Sequence, residues 1–376
     1  MTDRIREFLR DRRPEGPCLV VDTDVVRENY LTFARAMPDS RVFYAVKANP
    51  APEILKLLAG LGSAFDCASV AEIDMALAAG ATPDRISYGN TIKKERDIAA
   101  AHARGIRLFA VDCTEEVEKI SRAAPGSRVF CRILCAGDGA EWPLSRKFGC
   151  EPDLAIEVLE QAHRLGLDAY GISFHVGSQQ PNTAAWDGAL KATADVFRTL
   201  SDRGIQLRMV NLGGGFPAKY LKKVPLVKSY GRAISSALRK HFGNRIPETI
   251  IEPGRGMVGD AGVIKAEVVL ISKKARDDET RWVYLDIGKF GGLAETMDEA
   301  IRYPIRTAHD RDAKAPCIIA GPTCDSVDVL YEKVPYDLPV SLSIGDEVLI
   351  EGTGAYTTTY SAVAFNGFEP LKSYVI

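Results

Sequence analysis

The chain has 376 residues, 46% hydrophobic and 26% charged, so it can bury a full core and exceeds one average domain. Its formal net charge of −2 removes any electrostatic case for nucleic acid or an anionic membrane surface. No apolar run approaches the roughly 20 residues of a membrane span. The eight cysteines are scattered without a CxxC pair, so neither a metal site nor a disulfide framework is expected, and buried thiols in a reducing cytoplasm are.

The N-terminus, MTDRIREFLRDRRPEG, is rich in Arg and Asp and lacks the apolar stretch of a secretory signal. PCLVVD follows it and reads as a strand. Eight short β-branched or aromatic runs then recur: VFYAVKA (42–48), SAFDCAS (63–69), RISYGN (85–90), LFAVDC (108–113), RVFCRIL (128–134), AYGISFHVGS (169–178), MVNLGGGF (209–216) and TIIEPGR (249–255). Between them lie segments such as PEILKLLAGLG, VAEIDMALAAG, KERDIAAAHARG and LAIEVLEQAHRLG, apolar at spacings of three and four and ending near a Gly. This alternation predicts a (β/α)8 TIM barrel of mixed α/β class over residues 24–258. An open doubly wound sheet is the runner-up, but the GxGxxG turn it would carry after its first strand is missing. Beyond residue 258 the runs VIKAEVVLISKKA, TRWVYLDIG, APCIIAGPTC and GDEVLIEGTGAYT lack long helices between them. They predict an all-β domain of antiparallel strands over 259–376, joined by residues 1–23.

Barrel chemistry sits at the C-terminal strand ends, which makes those ends the places to look. Lys47 ends the first run; desolvation there would lower its pKa and suit it to a Schiff base, while the plain alternative is a lysine snorkelling to water. His175 is a satisfied core histidine or a ring that stacks on a planar group. Gly213-Gly214-Gly215 is a flexible turn or an anion cradle, and its place after the seventh run favours phosphate. Glu252-Pro253-Gly254-Arg255 is an acid–base pair around a turn, or a carboxylate facing a heterocycle beside a phosphate-binding guanidinium. In the β domain, Cys324-Asp325 within GPTCD is a buried thiol with a capping acid, or a proton donor beside a receptor for a cation. Tyr356 within GAYT reaches a phosphate or packs at an interface.

Taken together, FYAVKAN around Lys47, FHVGSQ around His175, LGGGFP (212–217), EPGR (252–255), GPTCD (321–325), GAYT (354–357) and FNGF (365–368) resemble the alanine-racemase-like fold type of pyridoxal-phosphate enzymes. Within it they are most similar to the eukaryotic-type ornithine decarboxylases and their bacterial members acting on ornithine or lysine. The resemblance runs from about residue 17 to the C-terminus, and its specificity lies in seven modest motifs in the right order.

The resemblance implies a barrel followed by a β domain, and pyridoxal 5'-phosphate carried on Lys47. It implies His175 stacked on the cofactor ring, Glu252 at the ring nitrogen, and Ser178, Gly214, Gly215, Gly254, Arg255 and Tyr356 around the phosphate. Asp66, Glu72 and Arg132 match positions lining the pocket. Cys324 would return a proton to the substrate and Asp325 would bind its distal ammonium, both reaching into a partner's pocket, which implies a homodimer with shared active sites. Phe290, Phe365 and Tyr356 join the substrate side. An acid among Glu295, Asp298 and Glu299 is a further candidate for the substrate's distal end, in a segment (285–305) that follows the bacterial branch.

The implied reaction is decarboxylation of a small basic amino acid, L-ornithine to putrescine. L-lysine or dual use is the nearest alternative, and diaminopimelate is more distant. A catalytically silent regulatory homologue and a lone cofactor-binding barrel are the readings of another class. Retention of Lys47, His175, Glu252, Arg255 and Cys324 speaks against the first, and the added β domain against the second.

Overall fold

A computed structural model of the protein describes residues 1–135, 139–141 and 146–376. It divides into two compact units: Arg27–Pro217 with Val224–Gly256, and Met1–Val26 with Ala218–Lys223 and Met257–Ile376. The first strand, β1 (Cys18–Val21), belongs to the second of these.

The larger unit holds β2 (Ser40–Ala45), β3 (Ala64–Cys67), β4 (Ile86–Tyr88), β5 (Leu108–Val111), β6 (Arg128–Arg132), β7 (Asp168–Ser173), β8 (Met209–Asn211) and β9 (Glu248–Ile251). They pair in chain order, all parallel, and β9 closes onto β2 through Ser40 opposite Thr249. Each of the eight runs read from the sequence overlaps one of these strands, and three of the strands, β2, β7 and β9, begin one or two residues before their run. The barrel interior is filled by Phe43, Ala64, Leu108, Ala110, Phe130, Tyr170, Met209 and Ile250, all nearly inaccessible, so it is a packed core and not a pore.

The helices follow local chemistry. Pro52 opens Pro52–Gly60 in its first turn, where an amide is dispensable, and Ile54, Leu55, Leu58 and Ala59 face inward. Ser69 caps Val70–Ala78 by accepting from the Glu72 amide. Gly62 and Gly166 sit in the left-handed region just past two of the helices, a conformation that costs glycine little. Among the described residues no helix is long and apolar enough to cross a membrane.

The smaller unit adds β10 (Gly262–Ser272), β11 (Arg281–Leu285), β12 (Ile305–Thr307), β13 (Lys314–Ala320), β14 (Val329–Pro339), β15 (Glu347–Glu351) and β16 (Lys372–Val375). The sheet order is β12-β15-β10-β11-β13-β14, with β1 between β10 and β16. Two features depart from the antiparallel, all-β expectation. The sheet is mixed, because β11–β13 and β1–β16 are parallel. Residues 286–313 leave β11, place β12 beside β15 and return, so β13 enters in the same direction as β11. The unit also carries a helix, Asp3–Arg12, capped by Thr2, whose Ile5 and Leu9 pack with Cys18, Val20 and Val263.

β14 is an edge strand that contains Pro335, tolerated because the strand has one neighbour and its register slips between Tyr331 and Tyr336. Glu299 serves that irregular stretch: its Oε1 accepts from the Glu332 and Lys333 amides, and its Oε2 accepts from the Val334 amide and Arg302.

Candidate active site

The mouth of the barrel gathers charged side chains from the ends of non-adjacent stretches of chain. Lys47 lies in the 3-10 turn Val46–Ala48 that follows β2. Its Nζ is 3.4 Å from Oδ2 of Asp66, a buried residue on β3. The other oxygen, Oδ1, accepts from the Ser87 hydroxyl of β4 at 3.1 Å. The expected desolvation of Lys47 is not met, since its side chain is 50% exposed: the turn lifts it off the strand into the open mouth.

Glu252 follows β9, its amide donating to the Gly213 carbonyl at 2.8 Å. Its carboxyl accepts from the Asn211 side-chain amide, and Asn211 Oδ1 in turn accepts from the Gly213 amide at 2.9 Å. Desolvation, then the neighbouring Asp66, pushes the Glu252 carboxyl up to about 7, against the opposing pull of Lys47, Asn211 and Arg132. The site therefore holds an acid that would lose its proton most readily beside an added cation.

His175 follows β7. Its Nδ1 accepts from the Gly177 amide at 2.9 Å, so the neutral ring carries its proton on Nε2. Desolvation, then the Arg132 and Lys47 cations, pulls it down to about 3, which keeps the ring uncharged at neutral pH. Arg132 ends β6 with its guanidinium 5.4 Å from the Phe148 ring; desolvation lowers its pKa while Glu252 and Asp66 oppose.

Gly213 to Gly215 are wedged between the loops after β7 and β9. A Cβ on Gly213 would lie 2.1 Å from the Phe174 carbonyl oxygen, and one on Gly214 would lie 2.7 Å from that of Glu252 and 3.6 Å from His175 Nε2. A Cβ on Gly215 would meet the Gly177 carbonyl oxygen at 2.5 Å, one residue before Ser178. Gly254 precedes Arg255, which is 5% exposed. These approaches require glycine at all three positions, and the buried Arg255 is a cationic group of the kind that suits an anion. Glu72, matched to the pocket, has a capping role: its Oε2 accepts from the Ala68 amide at 2.6 Å, and burial raises its pKa.

Tyr356, Cys324, Asp325, Phe290 and Phe365 belong to the smaller unit. Tyr356 has a positive φ and its ring lies 5.7 Å from that of Tyr360. Cys324 is exposed, and its amide donates to Asn366 Oδ1 at 2.9 Å. Phe365, next to Asn366, has its ring 4.7 Å from Phe290. Asp325 Oδ1 accepts from the Val327 amide at 2.8 Å. Phe290, Thr323 and Phe365 line one cavity of about 320 Å³ with Phe368 and Leu371.

Sequence reasoning missed the residue that organises this set. Asp328, 2% exposed, accepts from the Lys289 amide at 2.7 Å and from the Thr323 hydroxyl at 2.7 Å, tying the Phe290 turn to the GPTCD loop. Its only signal is an acid three residues after Asp325 in a turn. Asn211, the polar end of an apolar run, was missed for the same reason. Of the three acids proposed for the substrate's distal end, Glu299 is taken up by the β14 backbone, so it is not available for that role. Asp298 is exposed and paired with Lys333 at 3.0 Å, and Glu295 is buried.

Residues 23–259 match the family model described as pyridoxal-dependent decarboxylase, pyridoxal binding domain. A lysine/ornithine decarboxylase of Selenomonas ruminantium is 37% identical over 95% of this chain and 88% of its own. The solved lysine decarboxylase from Selenomonas ruminantium superposes with a TM-score of 0.88 at 34% identity, covering 100% of this chain and 96% of that one. A lysine/ornithine decarboxylase from Vibrio vulnificus, solved with cadaverine, gives a TM-score of 0.88 at 30% identity over 99% and 97% of the two chains. The same Vibrio enzyme is also solved with putrescine.

Proposed function

The chain belongs to the pyridoxal-dependent decarboxylases, and on that premise we propose that it converts L-ornithine to putrescine and CO2 in polyamine biosynthesis, the alternative being L-lysine or use of both. Its cofactor is pyridoxal phosphate, and the residue types present fit that group: a primary amine, a desolvated acid, an uncharged imidazole, a glycine turn and a buried guanidinium. The observation that carries the reading is geometric: Lys47 stands 3.4 Å from Asp66 at the same end of the closed barrel as Glu252, whose carboxyl is held by Asn211.

The bound cofactor supplies an electron-accepting ring that stabilises charge left on the substrate α-carbon. Lys47 is the amine that would hold its aldehyde, and Asp66 orients that amine. Glu252 would keep a proton on the ring nitrogen, since a carboxylate in a desolvated site favours a neighbouring cation. A cationic residue in its place would weaken the electron sink and favour racemisation. His175, uncharged and fixed through Nδ1, would lie flat on the ring without competing for that proton. Ser178, Gly214, Gly215, Gly254, Arg255 and Tyr356 would hold the phosphate, and Arg132 would neutralise the acids behind the ring.

Cys324 would deliver a proton to the α-carbon. Asp325 would receive the distal ammonium, a charge-assisted contact suited to ornithine or lysine. Phe290 and Phe365 would flank the aliphatic part of the substrate. We place Cys324 and Asp325 in the site of a second copy, so the working form is a homodimer with shared active sites.

One methylene changes binding by about 1–3 kcal/mol, enough to rank ornithine and lysine. Product analysis with ornithine, lysine, arginine and diaminopimelate offered side by side tests the substrate. Absence of both putrescine and cadaverine would sink the reading. Mixing Lys47→Ala and Cys324→Ala subunits should restore part of the activity; none, with heterodimers shown to form, contradicts the shared site.

A further inference from the structure

At the C-terminal ends of β4 and β5 lies a buried ionic cluster that none of the chemistry above uses. Lys93 has no exposed side-chain surface, and its Nζ is 3.0 Å from Glu116 Oε1. The same ammonium donates to the carbonyls of Asn90 at 2.8 Å and Ala110 at 2.7 Å, and lies 5.5 Å from the Tyr88 ring. Glu116 is 3% exposed; its second oxygen pairs with Lys119, whose ammonium donates to the Lys93 carbonyl. A buried ion pair costs desolvation and is weak grounds for stability alone, so its placement invites a positional reading.

That placement is beside the cofactor amine's partner. Ala110 is on β5, and Asn90 lies in the segment that leaves β4. Gly89, one residue earlier, lies against Asp66: a Cβ there would fall 1.8 Å from Asp66 Oδ1. The Gly89 amide donates to the Cys67 carbonyl at 2.9 Å, and the Asn90 side chain reaches the Ala68 carbonyl at 3.5 Å. The segment held by Lys93 thus forms one wall of the Asp66 carboxylate, whose other oxygen is the one facing Lys47.

We propose that Lys93 is a positioning residue: its ammonium pins the C-terminal edges of β4 and β5 and, through Gly89 and Asn90, holds Asp66 in register with Lys47. Glu116 keeps that ammonium in place, and Lys119 keeps Glu116 in place. The proposal rests on the assignment of Lys47 as the cofactor amine.

The test is a pH titration of the visible absorbance of the protein loaded with pyridoxal phosphate, for wild type, Lys93→Met, Asp66→Asn and the double variant. Lys93→Met should move the midpoint by about half a pH unit or more, and the shift should vanish in the Asp66→Asn background. If Lys93→Met alone does not fold, Lys93→Met/Glu116→Leu, which removes both charges, takes its place. An unmoved midpoint overturns the proposal, as does an equal shift with and without Asp66, which is what general loosening would give. A wild type that takes up no cofactor, or whose colour survives Lys47→Ala, overturns the assignment of Lys47 and this proposal with it. A wild type that loads and loses its colour with Lys47, beside Lys93 variants that titrate unchanged, overturns the role of Lys93 alone.

Discussion

At the barrel mouth, Lys47, Asp66, Arg132, His175 and Glu252 meet because five strands of one closed sheet end there. In the smaller unit, Phe290 and Cys324 sit on loops tied together by Asp328, and Asn366 holds the Cys324 amide. Closure fixes where the backbones of the first set meet, so removing one of its own side chains changes chemistry and leaves the other backbones in place, with only the fine setting of Asp66 left to the Lys93 brace. The second set depends on individual hydrogen bonds, so removing a side chain that touches no reactant can displace those that do.

The sharpest break between the regions comes from Lys47→Ala. It should abolish the visible absorbance and lower turnover by about 10³-fold or more while leaving the unfolding midpoint near that of the cofactor-free wild type. Retention of colour would mean that another amine holds the cofactor. Next is Glu252→Gln, expected to load cofactor yet lower kcat by about 10²–10³-fold. Steady-state kinetics on the loaded variant decide it, and a loss confined to KM would count against the proton-holding role.

Asp328→Asn should do the reverse. Cofactor absorbance should stay at the wild-type level while kcat/KM falls about tenfold and stability drops by about 1–3 kcal/mol. If it empties the barrel of cofactor instead, the contrast between the two regions is gone.

pH sharpens the comparison further. Glu252 holds its proton up to about 7 in the folded protein, against 4.5 ordinarily, so the native state binds the extra proton between those values. Its contribution should make the cofactor-free protein less stable as pH rises through that window, and Glu252→Gln should flatten the decline in urea unfolding. His175 acts in the opposite sense: its folded value is about 3 against 6.5. The unfolded chain takes up the proton first, so stability is lost as pH falls from about 6.5 towards 3, and His175→Gln should reduce that loss. The smallest effect is expected on the barrel's outer surface, where the Arg203–Glu160 pair is 51% and 23% exposed. Arg203→Ala should change stability by less than about 0.5 kcal/mol.

Much of this is legible in the sequence. The eight runs stood out because parallel barrel strands are buried on both faces and read as continuous apolar stretches. Lys47, His175, Gly213–Gly215 and Glu252 stood out because they follow those runs directly. β14 was hidden by Pro335, which its edge position and register slip accommodate, and by Pro339 at its last residue. The helix at Asp3–Arg12 was masked by its charges, since only Ile5 and Leu9 mark its inner face. Glu299 looked like a substrate acid from its place in the chain, yet its oxygens accept amides from residues more than thirty positions away.

The sequence by itself determined the alternation that makes a barrel, the order of the strand ends and the residue types found at them. These follow from local propensity and periodicity, which a linear string records. The tertiary structure alone decided that Lys47 is open while Asp66 is closed in, that Glu252 keeps its proton to about 7 and His175 gives its up, and that Asp328 and Lys93 brace what they do not touch. Desolvation and through-space charge depend on which distant residues arrive beside a group, and the order of residues along the chain does not record that. Lys47, a strand-end lysine like many others when read alone, is set apart by the acid that folding places 3.4 Å away.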